Sequence, residues 1–155
     1  MSNKKRFYIG LTIIVLFLLI GIFIQNNKKN EEVIYTVPSP EEVVRQYFTA
    51  WNNKNYPDMY ATISDGFKRI DPNAKDLATF RNFASSQDIG GVNIITIEEK
   101  SNDKTTAQID YSVEFILVNG QKNNFSGTFT LKYRQGDIIL GWKLIHPYGE
   151  NIDTS

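Results

Sequence analysis

From Thr106 every odd position is apolar, Ala107, Ile109, Tyr111, Val113, Phe115 and Leu117, while Thr106, Gln108, Asp110, Ser112 and Glu114 take the even positions up to Phe115. A period of two puts all the apolar side chains on one face of an extended strand, so this stretch has a buried side and a wet side. "FSGTFTLKYR", Phe125 to Arg134, repeats the pattern with Phe125, Phe129, Leu131 and Tyr133. "VNIITIEEK" from Val92 is a strand before them, and "GWKLIHP" from Gly141 is the last, with Trp142 and Leu144 on one face. Asn119 and Gly120 suggest a two-residue hairpin turn, yet that register pairs odd positions with even ones and sets Leu117 against Lys122. A loop of three or five residues keeps odd opposite odd. With three, Phe115 faces Phe125, Tyr111 faces Phe129 and Gln108 faces Lys132.

Upstream of Gly90 and Gly91, which end the helical half, the period is that of helices. In "SPEEVVRQYFTAW" Ser39 is an N-cap, Pro40 suits the first helical position and Glu42 completes a capping box. Val43, Val44, Tyr47, Phe48 and Trp51 then form one apolar face. A shorter helix follows "NNKN", with Pro57 near its start, Gly66 just beyond its end, and Met59, Tyr60 and Ile63 as its apolar side. A third is capped by Asp76 and turns Leu77, Phe80, Phe83 and Ala84 inward. Three helices followed by a curved antiparallel sheet of about four strands make an α+β domain, with the first helix in the concavity of the sheet.

Before this domain stands "FYIGLTIIVLFLLIGIFI", Phe7 to Ile24, which has no charged residue. Eighteen residues at about 1.5 Å of rise span roughly 27 Å, enough to cross a hydrocarbon core. Lys4, Lys5 and Arg6 precede it, and the positive-inside rule puts the N-terminus in the cytoplasm and the rest of the chain outside. The segment ends without a small-x-small cleavage site, so a retained anchor is expected rather than a signal peptide. The expected organisation is an anchor with flanks over 1–29, a linker over 30–38, the folded domain over 39–150 and a tail over 151–155. Gly10 and Gly21 are not at GxxxG spacing and mark no dimerising face.

Five of the 17 basic residues precede residue 30, leaving twelve against 17 acidic ones beyond it. An exported part of that sign repels nucleic acid, and it carries no compensating basic patch. The chain has no cysteine, which excludes disulfides and a lipid-modified cysteine.

The order of these elements, with "NKNYPDMY" at Asn53 to Tyr60, "AQIDYSVEF" at Ala107 to Phe115 and "GWKLIHP" at Gly141 to Pro147, resembles the NTF2-like superfamily. The closer resemblance, over roughly Pro40 to Tyr148, is to the NTF2-like N-terminal domain of low-affinity penicillin-binding proteins of Gram-positive bacteria, the MecA N-terminal type. That domain precedes a large transpeptidase domain for which these 155 residues have no room. The resemblance thus implies an extracytoplasmic accessory fold and not penicillin binding. A second architectural relative is the anchored NTF2-like component of conjugation and secretion channels.

Several motifs invite chemistry. "SNDK", Ser101 to Lys104, has the S-x-x-K spacing of penicilloyl serine transferases, but that serine must open a helix, whereas Ser101 falls in a polar turn between strands. His146 is the only histidine. Period two places it on the face of Trp142 and Leu144, at the rim of a pocket if the cone is open, where a general base would need a group to orient it. The inward faces of the two long strands hold no acid, since Asp110 and Glu114 fall on the other side. A structural, strand-end histidine is therefore the favoured reading. Tyr47, Trp51, Tyr111, Phe129 and Trp142 would line such a pocket. No cluster has metal-ligand spacing, and no cofactor is implied. The expected role is a membrane-anchored scaffold or accessory module of the cell envelope, non-catalytic and binding a partner protein. The alternatives are a small-molecule pocket or weak hydrolase or isomerase using His146, and a secretion-channel component.

Overall fold

The computed structural model describes residues 36–147. The membrane helix expected over Phe7 to Ile24, most of the 30–38 linker and the 151–155 tail lie outside them. Among the described residues no helix is long and apolar enough to cross a membrane.

The first helix, α1 (Pro40–Asn52), starts where its cap predicts. The Ser39 Oγ accepts from the Glu42 amide at 3.2 Å, and the Glu42 carboxylate accepts from the Ser39 amide at 2.7 Å. Two N–H groups that the first turn leaves without helical partners are thereby satisfied. Val43, Val44 and Phe48 are buried, and the helix packs across the sheet.

The single second helix is in fact two, α2 (Tyr56–Ala61) and α3 (Asp65–Ile70), with Gly66 buried inside α3 instead of ending a helix. The break is imposed from far along the chain. Ile63 bridges Leu144: the Leu144 amide donates to the Thr62 carbonyl and the Ser64 amide to the Leu144 carbonyl, both at 2.9 Å. With Ile63 held in that bridge and Ser64 extended, the helix cannot continue past Thr62, and the Ser64 hydroxyl restarts one by accepting from the Phe67 amide at 2.9 Å. The last helix, α4 (Leu77–Ser85), is capped by Asp76 as expected. Phe80 and Ala84 are buried, but Leu77 and Phe83 are 38% and 42% exposed. α4 rests mainly on α2, where Phe80 meets Tyr60 at 5.3 Å, and that contact covers only a narrow stripe of it.

The strands β1 (Ile89–Asn102), β2 (Thr106–Leu117), β3 (Lys122–Arg134) and β4 (Gly141–Leu144) form one antiparallel sheet in that order. Gly90 and Gly91 belong to β1, with a bulge between Ile89 and Gly91, and do not end the helical half. Ser101 also lies in β1, opposite Gln108, and not in the turn. In β2 Ala107, Ile109, Tyr111 and Val113 are buried, as the alternation requires.

Odd faces odd between β2 and β3, but two residues away from the pairs expected for the three-residue loop: Tyr111 faces Gly127, Val113 faces Phe125, Ile109 faces Phe129 and Gln108 faces Thr130. The turn sets this register. The Gly120 amide donates to the Leu117 carbonyl at 2.9 Å, the Leu117 amide donates to the Gln121 carbonyl at 2.8 Å, and Gly120 takes φ +85°. A left-handed residue at the third loop position closes Val118, Asn119 and Gly120 into a three-residue hairpin loop one place earlier than the loop that pairs Phe115 with Phe125. β4 is the last strand, and its outer edge is covered by the 62–64 backbone, which leaves it no free ladder at Leu144.

Candidate functional site

Where α1 crosses the sheet, aromatic side chains from three elements meet. Tyr47 lies edge-on to Phe48, Trp51 and Phe129 at 5.3, 5.9 and 5.7 Å between ring centroids. Tyr111 stacks on Phe129 at 4.5 Å and leans on Phe48 at 5.0 Å. Trp51 meets Phe115 at 5.3 Å. Helical spacing puts Tyr47 and Trp51 one turn apart on α1, and alternation puts Tyr111, Phe115 and Phe129 on the face below them. Edge-on and offset contacts at these distances are the favourable aromatic geometries.

Of the six residues expected at a pocket, Tyr47, Trp51, Tyr111 and Phe129 come together here. Trp142 instead pairs with Tyr133 at 5.6 Å. His146 stands against α3, edge-on to Phe67 at 4.8 Å, with its Nε2 3.8 Å from an Asp71 carboxylate oxygen. Burial pushes the Tyr47 hydroxyl above its ordinary value, reinforced by Tyr111, and burial raises Tyr111 as well. Both phenols therefore stay neutral around pH 7 and are poor bases. The acids of β2 lie on the opposite face. Asp110 accepts from the Thr128 hydroxyl, and Glu114 accepts from Lys122 at 3.0 Å and Asn93 at 2.9 Å. The bond from Lys122 leads in holding Glu114 below the usual carboxylate range.

A second polar cluster, at the base of the β3–β4 loop, had no signal in the sequence because its members are far apart in the chain. Arg134 Nε donates to Asp137 at 3.2 Å, and both side chains are under 10% exposed. The other Asp137 oxygen accepts from the Asp65 amide at 2.9 Å, while Asp65 accepts from the Ile138 amide at 2.9 Å and pairs with Lys68. Lys143 is buried and donates to the Ala61 carbonyl at 2.6 Å. Desolvation, aided by Lys68, holds its ammonium below the ordinary lysine value. The bonds run among loop and helix termini, so the cluster ties the end of the sheet to α3. A depression beside it, lined by Lys104, Tyr133, Arg134 and Gly136, includes none of the expected site residues. Among the described residues no group of three or more His, Cys, Asp or Glu is placed to hold a metal ion.

A helix packed across a four-stranded antiparallel sheet, over an aromatic inner face, defines an NTF2-like α+β domain. Residues 39–148 match the MecA_N family, described as the NTF2-like N-terminal transpeptidase domain, and the chain belongs to that family. Among curated proteins no sequence matches. Solved structures similar to the chain include an NTF2-like protein of unknown function from Shewanella oneidensis, 10% identical, with TM-score 0.48 over 68% of this chain and 94% of that one. Another, from Campylobacter jejuni and proposed to be an NTF2-like transpeptidase, is 20% identical, with TM-score 0.46 over 70% of this chain and 99% of its own. RPA3114 of Rhodopseudomonas palustris, a protein containing a SEC-C motif, is 15% identical, with TM-score 0.48 over 70% and 76%.

Proposed function

We propose that this chain is a membrane-anchored, extracytoplasmic accessory module of the bacterial cell envelope that binds a partner protein and catalyses nothing itself. The observation that carries this reading is the composition of the inner face: Tyr47, Phe48, Trp51, Tyr111, Phe115 and Phe129 pack on one another, and the carboxylates of β2 lie on the other side of the sheet. Proton transfer in a cavity needs a base with a tuned pKa and a group that orients it. Neither tyrosine meets the first need. The apolar run from Phe7 to Ile24 and the lysines and arginine before it support anchoring with the domain outside.

The enzymatic alternative has one observation in its favour, the Asp71 carboxylate near His146, a pair able to orient an imidazole. The full chain purified from its membrane decides between the two. The accessory reading expects no bound small molecule whose retention depends on His146. A molecule kept by the wild type and lost by His146→Ala would hand the function to the pocket.

The absence of cysteine makes the placement testable by single-cysteine labelling in intact cells. An impermeant maleimide is expected to label Asn119→Cys and to spare Ser2→Cys. The reverse pattern would overturn the extracytoplasmic placement.

A further inference from the structure

The β3–β4 loop is built inside out. Its acid, Asp137, is turned inward, with its side chain only 5% exposed, whereas the apolar residues that follow face water: Ile138 is 93% exposed, and Ile139 and Leu140 are nearly half exposed. A loop whose only surroundings were water would show the opposite order, and three consecutive exposed aliphatic residues at a tip mark a contact surface. The loop is also held in that posture. Asp137 accepts from Arg134 and the Asp65 amide, and the Ile138 amide donates to Asp65. The backbone N–H of the most exposed residue is therefore already paired, which lowers the cost of moving the tip into a less polar medium.

The occupant is indicated by where the chain joins the domain. Val37, the second described residue, packs so near Gly141 that a Cβ there would come within 3.1 Å of its Cγ1. Gly141 directly follows Leu140, so the apolar tip and the start of the domain share one end of the sheet. The β2–β3 hairpin closes the other end of β3. Twelve residues separate Val37 from Ile24, the end of the apolar run. Even fully extended, twelve residues reach at most roughly 40 Å. From this geometry we infer that Ile138, Ile139 and Leu140 insert into the outer interface of the lipid bilayer that holds the anchor, setting the orientation of the domain on the membrane. The inference rests on the anchoring proposed above.

The test uses the full chain reconstituted into phosphatidylcholine vesicles, with an environment-sensitive fluorophore on one introduced cysteine and lipids brominated in the acyl chains as quenchers. Leu16→Cys reports on the anchor, Ile138→Cys on the loop and Asn119→Cys on the far hairpin. The labelled Ile138→Cys is expected to lose most of its emission, as Leu16→Cys does, while Asn119→Cys keeps its emission. Quenching at Leu16→Cys with none at Ile138→Cys overturns the inference and leaves the anchor standing. Absence of quenching at both overturns both. A blue shift at Ile138→Cys that brominated lipid leaves unquenched and that grows with protein density assigns the tip to a second copy and overturns the lipid reading. Asp137→Ala provides an independent check, since freeing the loop should reduce quenching at the Ile138→Cys label, and undiminished quenching contradicts the role given to its bracing.

Discussion

Tyr111 and Gly127 face each other across β2 and β3, and a Cβ on Gly127 would lie 2.9 Å from the Tyr111 hydroxyl oxygen and 3.1 Å from its Cζ. The ring lies over the glycine because there is no side chain in its way, and stacking on Phe129 and contact with Phe48 hold it there. The glycine is thus part of the aromatic face: it is the position at which β3 gives way to a ring from β2.

Gly127→Ala should therefore displace Tyr111 from Phe129 and cost about 1–3 kcal/mol in chemical denaturation, the range for overpacking a well-filled site. Gly136→Ala, with open space around its Cβ position, should change little. Equal effects of the two would mean that the Tyr111 ring is free to move.

Asp65 gives the domain a pH signature. Burial raises its carboxyl, but the bond from the Ile138 amide and the Lys68 ammonium outweigh burial, and the net value lies below the usual range. A carboxylate lowered on folding contributes stability that is present above the unfolded value, about 4, and is lost as pH falls through the folded one. The stability gap between wild type and Asp65→Asn should be widest near pH 7 and narrow steadily below about pH 4. A gap constant down to the acid transition would contradict the ionised state assigned to Asp65.

Asp137→Ala removes one member of a buried ion pair, the carboxylate to which the Arg134 Nε donates. Breaking such a pair costs about 3–5 kcal/mol. Glu114→Ala, which breaks an exposed pair with Lys122, should leave the denaturation midpoint almost unchanged. Comparable losses would show that the Arg134–Asp137 pair is solvated in the folded protein.

The parts of this fold that were legible in the sequence rest on local chemistry. The Ser39–Glu42 box, the Asp76 cap and the alternation from Ala107 to Val113 involve neighbours within a few residues. The parity of the β2–β3 hairpin was also legible, because exposing an entire apolar face would be too costly. Its exact register was not: the choice between loops one place apart turned on Gly120 adopting φ +85° and on Gly127 accommodating Tyr111, and the second is a contact across the sheet. The break between α2 and α3 depends on Leu144, some eighty residues away, as the pairing of Asp65 with the 137–138 backbone depends on residues over seventy apart. The aromatic site was half legible for the same reason. Tyr47, Trp51, Tyr111 and Phe129 share faces set by local periodicity, whereas Trp142 and His146 lie at and just beyond a four-residue strand whose neighbours, Tyr133 and α3, are set by tertiary pairing.

The edge-on contact of His146 with Phe67 is worth about 0.5–1.5 kcal/mol beyond burial. His146→Ala should therefore lower stability modestly while sparing function. The most direct test of an accessory role is capture of the anchored protein after crosslinking in living cells, with wild type and His146→Ala compared at equal abundance. The account predicts the same cell-envelope protein recovered in equal yield from both. Failure of both to capture any envelope protein, together with a small molecule that copurifies with the wild type and is lost with His146, would contradict it.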